Sequence, residues 1–389
     1  MPLLPKFMLT CSLHHGMGRE RTPVILVADV GVDDAAALIW LARDPTIDLL
    51  GVAASFGCHS DVEQTARNAR RVLRAVGKPC VPVYAGSPYA LGEASRPDGF
   101  TYVHGEDGLG SVAETEEEAR RPTCTVNETL AAAEFIAQTA RRRPGEVTVI
   151  VTSPLTNLAL AYLLEPRLPL LVKRTLVMGG AVRHPGNVSP LAEANFASDA
   201  RAARLVVDAF SSVEGERLVL APLDVTMAGA VEHSAVLSKL DRAGVAQRLL
   251  ASAWRTYIGN YCTKIKECGP TAVLHDVHTV AYLRAPDLYA TELLALEVSV
   301  GGAANGHSLH DRRTLASSDS DIDDRTGAVG ERKKLLTVLV GVDATAFEAA
   351  FLAAVAPDAI APDANVPPPV TPVAKGTSRL RTYAVDQHS

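Results

Sequence analysis

The sequence predicts an α/β domain whose parallel sheet is covered by helices on both faces. Apolar runs that resemble strands alternate with helical runs from residue 24 to about residue 211. Such alternation is typical of parallel strands joined by helical crossovers, because parallel neighbours need long connections. The apolar runs at residues 24–27 and 147–151 are also nearly continuous, as expected for strands that are buried on both faces. Polar residues follow several of these strands, where open α/β sheets bind ligands.

The elements follow one another in a regular order. The predicted strands are residues 24–29, 49–57, 81–86, 147–153, 174–180, 217–226, 295–302 and 333–343. The predicted helices are residues 33–43, 61–76, 128–142, 155–164 and 200–210, with a mainly helical part over residues 232–283.

Composition bounds the class of protein. The chain has 389 residues, of which 47% are hydrophobic and 21% charged, as expected for one large globular domain. The formal net charge is -6, so no basic excess points to nucleic acid or to an anionic membrane. No apolar run approaches the roughly 18 residues that a membrane-spanning helix needs. We therefore expect a small-molecule substrate and a cytoplasmic protein.

Three segments fall outside the regular pattern. Residues 1–22 form an N-terminal extension without the long apolar stretch of a secretory signal, so residues 23–355 are the expected domain. Residues 302–333 form a polar loop whose SSDSDIDD run lacks the full spacing of a calcium-binding loop and is better explained as a solvated loop. Residues 356–389 are rich in proline, and we interpret them as a disordered tail.

The cysteine pattern gives a prediction about the compartment. Six cysteines are scattered along the chain without a CxxC spacing. This usage suits a reducing compartment and argues against a structural zinc site.

An acid cluster gives the strongest chemical signal. Asp29 lies at the end of the first strand, and Asp33 and Asp34 begin the helix that follows. Carboxylates in a first turn also satisfy free N–H groups, which is a sufficient structural explanation for Asp33 and Asp34 but not for Asp29. Three acids within six positions repel one another unless a cation or altered protonation compensates. A hard cation such as Ca²⁺ or Mg²⁺ would do so.

Later strand ends carry further polar residues. Thr152 ends a buried strand and could offer its carbonyl to a cation, although the sequence after it also suits an ordinary helix start. Asn187, Glu193 and Asn195 lie in a loop too long to be a simple connector, and their side chains can bond to neighbouring hydroxyls, as a sugar requires. His104 lies in a glycine-rich segment that a solvated turn would explain equally well.

A His-Asp pair begins a late helical run. His275 and Asp276 point about 100° apart on a helix, so the aspartate could bind a metal while the histidine faces substrate. A helix cap is the simpler explanation for the pair. His278 is explained by packing or by surface exposure.

In combination these motifs resemble the inosine-uridine preferring nucleoside hydrolases. That family carries an acid cluster of the form D-x-D-x-G-x-D-D, and residues 27–34 here are VADVGVDD. The other matching segments occur in family order. They are TARNAR at 65–70, HGEDGLG at 104–110, VTSPLTNLALA at 151–161, MGGAVRHPGNVSPLAEANFASD at 178–199, LHDVHTVAYLRAPDLY at 274–289 and VDATAFEAAF at 342–351.

The resemblance implies a fold and a chemistry. The fold would be a mixed but mostly parallel sheet in a single domain, with Ca²⁺ at the carboxyl ends of the strands. The activity would be hydrolysis of the N-glycosidic bond of ribonucleosides, and the assembly a homodimer or homotetramer. The implied residue roles divide into metal ligands (Asp29, Asp34, Asp276 and the Thr152 carbonyl), ribose contacts (Asp33, Asn187, Glu193 and Asn195), a base for the calcium-held water (Asp29), a group that assists the leaving base (His275) and a residue lining the base pocket (His104).

The match has two departures and leaves alternatives. Val27 occupies the position of the family's first acid, and Cys58 occupies the position of an asparagine that would contact the catalytic centre. A calcium-binding pseudoenzyme that keeps the ribose pocket is therefore an alternative to an active hydrolase. An unrelated acid-cluster phosphatase would need a lysine or arginine beside the cluster, and residues 27–34 contain neither.

Overall fold

The computed structural model describes residues 21–95, 97–124, 130–265, 269–310 and 335–357, and for residues 264 and 265 it describes the backbone alone. The strands in chain order are β1 (Thr22–Ala28), β2 (Ile47–Ala54), β3 (Val83–Ala85), β4 (Thr148–Thr152), β5 (Arg174–Met178), β6 (Leu218–Ala221), β7 (Val231–Glu232), β8 (Thr271–Ala272), β9 (Tyr289–Ala295), β10 (Glu297–Val298), β11 (Ser308–Leu309) and β12 (Leu335–Val342). Eight of them form the central sheet in the order β3-β2-β1-β4-β5-β6-β12-β9.

The central sheet is mostly parallel, as predicted. Every pairing from β3 to β12 along that order is parallel, and only the edge strand β9 runs antiparallel to β12. The carboxyl ends of β1, β4, β5 and β6 consequently meet at one edge of the sheet.

Helices cover both faces of the sheet. The helices in chain order are α1 (Val32–Arg43), α2 (Val62–Ala75), α3 (Thr101–His104), α4 (Glu116–Ala119), α5 (Ala132–Arg142), α6 (Thr156–Leu164), α7 (Leu168–Leu171), α8 (Ala194–Ser198), α9 (Ala200–Ser211), α10 (Leu223–Thr226), α11 (His233–Leu240), α12 (Val245–Asn260), α13 (Val277–Arg284) and α14 (Ala344–Val355). A π-helical turn, Tyr261–Ile265, continues α12.

The core consists of two apolar clusters, and alternate side chains of β1 pack into one or the other. Leu26 and Ala28 pack into one apolar cluster with α1, α12, α13 and α14, whereas Ile25 and Val27 pack into the other with α5, α6 and α9. Successive side chains of a strand point to opposite faces, so β1 contributes to both clusters. This burial on both faces explains the continuous apolar run in the sequence.

Several predicted boundaries were wrong. The run at residues 217–226 is strand only over β6 and then turns into the short helix α10, because Pro222 has no N–H to donate to a sheet. The strand expected at residues 295–302 is not formed as one element: β9 of the central sheet ends at Ala295, and the rest of the expected range contains only the strand β10, which pairs with β11 in a separate sheet. The helix predicted from residue 128 begins at Ala132, and residues 125–129 lie outside the described part.

Other predictions fall on residues that the structure does not describe. Residues 1–20, 311–334 and 358–389 lie outside the described ranges, so the N-terminal extension, most of the polar loop and the proline-rich tail stay predictions. Within the described residues, no helix combines the length and the apolar character that crossing a bilayer requires.

The cysteine prediction requires a correction. Cys80 and Cys124, which lie 44 residues apart in sequence, form a disulfide between the α2–β3 turn and the segment after α4. Scattered spacing gave no signal for this pair, because only the tertiary fold brings the two residues together. The bond removes the cysteine pattern as support for a reducing compartment. Cys58 is a free, buried thiol.

Candidate active site

All the sequence-predicted site residues line one pocket at the carboxyl edge of the sheet. The pocket has a volume of about 240 Å³ and opens to solvent beside the loops that follow β1, β4 and β5. The predicted residues that line it are Asp29, Asp33, Asp34, His104, Thr152, Asn187, Glu193, Asn195, His275 and Asp276. The sequence thus identified residues separated by up to about 250 positions that the fold brings together.

The β1 loop, residues 29–34 with the first turn of α1 included, delivers the first three acids. Val30 has a φ of 22°, a conformation that a β-branched residue rarely adopts, and this turn redirects the chain from β1 into α1. Asp34 accepts a hydrogen bond from the Gly31 N–H at 2.9 Å and a second from the Thr152 hydroxyl at 2.6 Å. Asp34 therefore caps its helix, as the structural explanation expected, and also faces the pocket.

Asp276 occupies a cap position without capping. It is the N-cap residue of α13, yet its side chain accepts no hydrogen bond from the first turn of that helix. Its carboxylate instead approaches the β1 loop acids, and ligand atoms of Asp33, Asp34 and Asp276 all lie within 4.8 Å of one another. Helix capping is consequently the wrong explanation for this aspartate.

Burial and mutual repulsion raise the pKa values of the four aspartates in the pocket. Burial, and then the charge of Asp34, raise the pKa of Asp33 to about 7. The same two causes raise the pKa of Asp29 well above its usual range, and burial followed by the charge of Asp33 does so for Asp276. Burial also raises the pKa of Asp34, although the hydrogen bond from Thr152 opposes the shift. These four residues, Asp29, Asp33, Asp34 and Asp276, are hereafter the acid cluster.

The acid cluster fits a hard divalent cation. Its members are buried carboxylates, and none of the residues that line the described pocket is a lysine or arginine. Carboxylate and carbonyl oxygens are the ligands that Ca²⁺ and Mg²⁺ prefer. The described residues thus include a buried acidic group able to bind a metal ion.

The β5 loop, residues 179–193, forms the opposite wall of the pocket. Glu193 ends this loop as the N-cap of α8, and its carboxylate accepts from the N–H groups of Gly180, Asn195 and Phe196 at 2.7–3.0 Å. The Asn187 side chain accepts from the Ala194 N–H at 3.0 Å, which folds the loop back on itself. Burial raises the pKa of Glu193 to about 7, even though the three N–H bonds oppose the shift.

Asn195 projects from α8 next to the strand end. Its amide donates to the carbonyl of Met178 at 3.1 Å, which leaves the amide oxygen as an acceptor at the pocket. The close packing of this region needs glycine at 179, where an added Cβ would lie 2.5 Å from the Phe196 ring.

Two buried histidines approach the pocket from different elements. His275 Nδ1 lies 2.8 Å from the Thr226 hydroxyl, and His104 Nδ1 accepts from the Val32 N–H at 3.2 Å. Since His104 Nδ1 is an acceptor, the ring proton of the neutral histidine lies on Nε2. Burial lowers the pKa of His104 to about 4 and that of His275 to about 3.

The aromatic residues that line one side of the pocket were not predicted from the sequence. Phe100, Tyr102, Tyr257 and Tyr261 line it together with His184. The ring of Tyr257 lies 4.8 Å from that of Tyr261 and 5.3 Å from that of His104, measured between centroids. The two tyrosines are four positions apart at the end of α12, and this i, i+4 spacing was the only signal available in the sequence.

The chain matches a known family along most of its length. Residues 24–349 match the family described as inosine-uridine preferring nucleoside hydrolase, and this span contains the whole pocket. The protein belongs to the inosine-uridine preferring nucleoside hydrolase family.

Curated relatives and a solved structure agree with this membership. The hydrolase is 32% identical over 291 residues to uridine nucleosidase 1 of Arabidopsis thaliana, covering 74% of this chain and 82% of the relative. It is 31% identical over 287 residues to the inosine-uridine preferring nucleoside hydrolase of Leishmania major, covering 72% and 84%. The structure of a purine-preferring ribonucleoside hydrolase from Gardnerella vaginalis superposes with a TM-score of 0.73 at 26% identity, over 87% of this chain and 99% of that one.

Two positions distinguish this nucleoside hydrolase from the family's motifs. Val27 is fully buried among apolar side chains that include Val149 and Val151 of β4. Cys58 donates its backbone N–H to the Asp29 carboxylate and its thiol to the Asp29 carbonyl. Burial raises the pKa of the Cys58 thiol well above its usual range. The backbone bond does not depend on the residue type, so Cys58 differs from an asparagine only in the side-chain contact with Asp29.

Proposed function

We propose that the protein hydrolyses the N-glycosidic bond of ribonucleosides to ribose and free base, and that it depends on bound calcium. One observation carries the proposal: four buried carboxylates face amide and carboxylate side chains across a single pocket at the strand ends. A ribose presents vicinal hydroxyls that such groups can bind, and the developing positive charge of its reaction needs carboxylates nearby.

In this proposal the metal ligands are Asp29, Asp34, Asp276 and the carbonyl of Thr152. Asp34 and Asp276 already lie within a few ångströms of each other, and Asp29 lies close enough for its charge to raise the pKa of Asp276. Several oxygen ligands supplied by the protein favour Ca²⁺ over Mg²⁺, which usually retains more of its waters. When bound, the cation supplies positive charge that acidifies a neighbouring water.

The sugar would lie between the acid cluster and the β5 loop. Asp33 is assigned to the ribose hydroxyls from one side, and Asn187, Glu193 and Asn195 from the other. Carboxylates accept hydrogen bonds from hydroxyls, and an amide can both donate and accept. Two walls that bind the same hydroxyls fix the anomeric carbon for attack, which removes much of the entropy cost of the reaction.

In the proposed reaction a water replaces the base at the anomeric carbon, with Asp29 as the general base. As the bond between the anomeric carbon and the base nitrogen breaks, the oxygen of a water forms a new bond to that carbon, and Asp29 accepts the water's proton. The sugar gains positive charge along this path, as in glycoside hydrolysis, and the surrounding carboxylates stabilise it. The leaving base takes up the negative charge.

The histidines and tyrosines would serve the leaving base. His275, held at Nδ1 by Thr226, assists departure of the base by donating a hydrogen bond to it, which offsets its negative charge, and the released base then takes a proton from solvent. His104 lines the base pocket and can donate a hydrogen bond from Nε2. The rings of Tyr257 and Tyr261 add an aromatic surface against which a planar base can stack. Relatives named for uridine, inosine-uridine and purine substrates leave the base preference open.

The further proposals concern context. We infer a homodimer or homotetramer, a small-molecule nucleoside as substrate with no nucleic-acid or membrane partner, and a cytoplasmic role in nucleoside catabolism or purine salvage. Family membership supports the substrate class. The alternative, a pseudoenzyme that binds calcium and ribose without turnover, is motivated by Val27 and Cys58 and is separated from the hydrolase by the following assay.

Ribose release tests the proposal. Purified protein is mixed with inosine, uridine, adenosine, guanosine and cytidine, with calcium or with a chelator. We expect release that requires calcium and that falls at least about a hundredfold in Asp29→Asn, since a positioned base and its charge are both lost. Asp208→Asn, which changes a half-exposed aspartate paired with Arg204, is the matched control. Calcium binding without release from any nucleoside would support the pseudoenzyme instead.

A further inference from the structure

The α2 helix contributes no side chain to the pocket, yet one of its polar residues contacts the pocket's framework. Asn68, within the TARNAR segment, is 3% exposed. Its amide nitrogen donates to the carbonyl of Val30 at 3.2 Å and to the carbonyl of Asp107 at 2.8 Å. Its amide oxygen accepts from the Gln64 side chain at 3.0 Å. A single buried amide therefore joins two segments that lie 38 and 39 positions away from it in sequence.

Both bonded segments carry pocket residues. Val30 belongs to the β1 loop and lies between Asp29 and helix α1, whose first turn carries Asp33 and Asp34. Its φ of 22° is unfavourable for a β-branched residue, so the surroundings must hold it there. The hydrogen bond from Asn68 to its carbonyl is one such restraint.

Asp107 belongs to the His104 loop, residues 104–110. This loop turns tightly, with positive φ at Gly105, Gly108 and Gly110. A Cβ added at Gly108 would lie 3.4 Å from the Asn68 amide nitrogen, so the loop packs directly on that side chain. The β1 loop and the His104 loop also meet directly, through the bond from the Val32 N–H to His104.

Asparagine is the residue type that this junction requires. Two carbonyl acceptors need two hydrogens from one short side chain, and the amide NH₂ group supplies both. An aspartate of the same shape has only acceptors and would face two carbonyls. A serine has one hydrogen and leaves at least one buried carbonyl without a donor.

We propose that Asn68 is a positioning residue for the hydrolytic reaction, which holds the β1 loop acids and His104 in register with each other. This inference rests on the proposed function. Asn68 is absent from the pocket lining, so it acts through the two loops and not by contact with substrate.

The test compares Asn68→Ser and Asn68→Asp with the wild type in ribose release at saturating calcium. We expect kcat to fall about 10- to 100-fold, since small displacements of reacting groups carry a penalty of that order. The loss should be smaller in a His104→Ala background, because one of the two positioned groups is then already absent.

Asn157→Ser is the matched control. Asn157 is also a fully buried asparagine, whose amide donates to the Ala54 carbonyl at 3.1 Å and accepts from the Ser87 N–H at 3.0 Å. Its bonds do not reach the β1 loop or the His104 loop. We expect this variant to lower the melting temperature as Asn68→Ser does, with kcat within about threefold of wild type.

The outcomes separate the two claims. If the wild type releases ribose and both Asn68 variants have the same kcat as the wild type, the positioning role alone is overturned. An equal loss of kcat in the Asn157 control, or full additivity with His104→Ala, would also overturn it, since general destabilisation would then explain the loss. A wild type that releases no ribose from any nucleoside would overturn the proposed function and, with it, a role for Asn68 in that reaction.

Discussion

The two walls of the pocket are built by different means. The acid cluster assembles from the β1 loop and the start of α13, which are more than 240 residues apart in the chain. Its members repel one another, and their pKa values rise accordingly. The β5 loop instead folds largely on its own backbone, with Glu193 accepting three N–H groups within about 13 positions in sequence.

This difference concerns how each wall is stabilised. The acid cluster is a low-stability arrangement that tertiary packing maintains and that a cation would relieve. The β5 loop is stabilised by its own hydrogen bonds, so its shape does not depend on a bound ligand. A substitution in the acid cluster should therefore lower activity but raise the stability of the metal-free protein, whereas one in the β5 loop should lower both.

The largest expected effect comes from Asp276→Asn. The variant should lose at least about a hundredfold in activity, because a proposed metal ligand is weakened. In chelator it should melt at a higher temperature than wild type, because one repelling carboxylate becomes an amide and no capping bond is lost. Ribose release and thermal melting with and without calcium measure both effects.

The control for this variant is again Asp208→Asn, which should alter neither quantity. A lower melting temperature of Asp276→Asn in chelator would contradict the view that repulsion within the acid cluster destabilises the metal-free protein.

An intermediate effect is expected from Glu193→Gln in the other wall. One of its three accepted N–H bonds would then face an NH₂ group, which costs about 1–3 kcal/mol of stability, and activity should fall about tenfold. The calcium-induced rise in melting temperature should be retained, because Glu193 is not a proposed ligand. Loss of that rise would show that the two walls are not independent.

The pH dependence of Glu193 gives a further measurement on the same pair of proteins. Its folded pKa is raised from 4.5 to about 7 by burial, so its protonated form is favoured in the folded state. The stability that this provides is present below about pH 4.5 and is lost as the pH rises towards 7. The difference in unfolding free energy between wild type and Glu193→Gln, measured in chelator, should therefore shrink across this window. A difference that stays constant or grows with pH would contradict the shift.

The smallest effect is expected from Cys58→Asn, which restores the family's residue. The bond from the Cys58 backbone N–H to Asp29 does not depend on the side chain, so activity should change less than about tenfold. Cys58→Ala serves as the comparison without a polar group. A gain of a hundredfold or more in Cys58→Asn would indicate a decayed site and favour the pseudoenzyme.

Ordered motifs in the sequence pointed to Asp29, Asp276 and Glu193, which the fold brings to one pocket, while the roles assigned to them stay predictions. The chemistry of a site restricts residue types more tightly than packing does, so its residues leave a clearer sequence signal than some elements do. The pairing of Cys80 with Cys124 and the end of β6 escaped prediction, since both depend on contacts or turns that spacing alone does not specify.

The sequence by itself determined the α/β class, the direction of most strands and the residue types at the strand ends. Two-residue and helical periodicities and local turn chemistry encode these features, and each depends on neighbours in the chain. Only the tertiary structure decided that Asp276 faces the acids and does not cap its helix, that Tyr257 and Tyr261 line the pocket, and that Asn68 joins two loops. Those facts depend on contacts between distant segments, where side-chain direction and burial are fixed by packing of the whole domain.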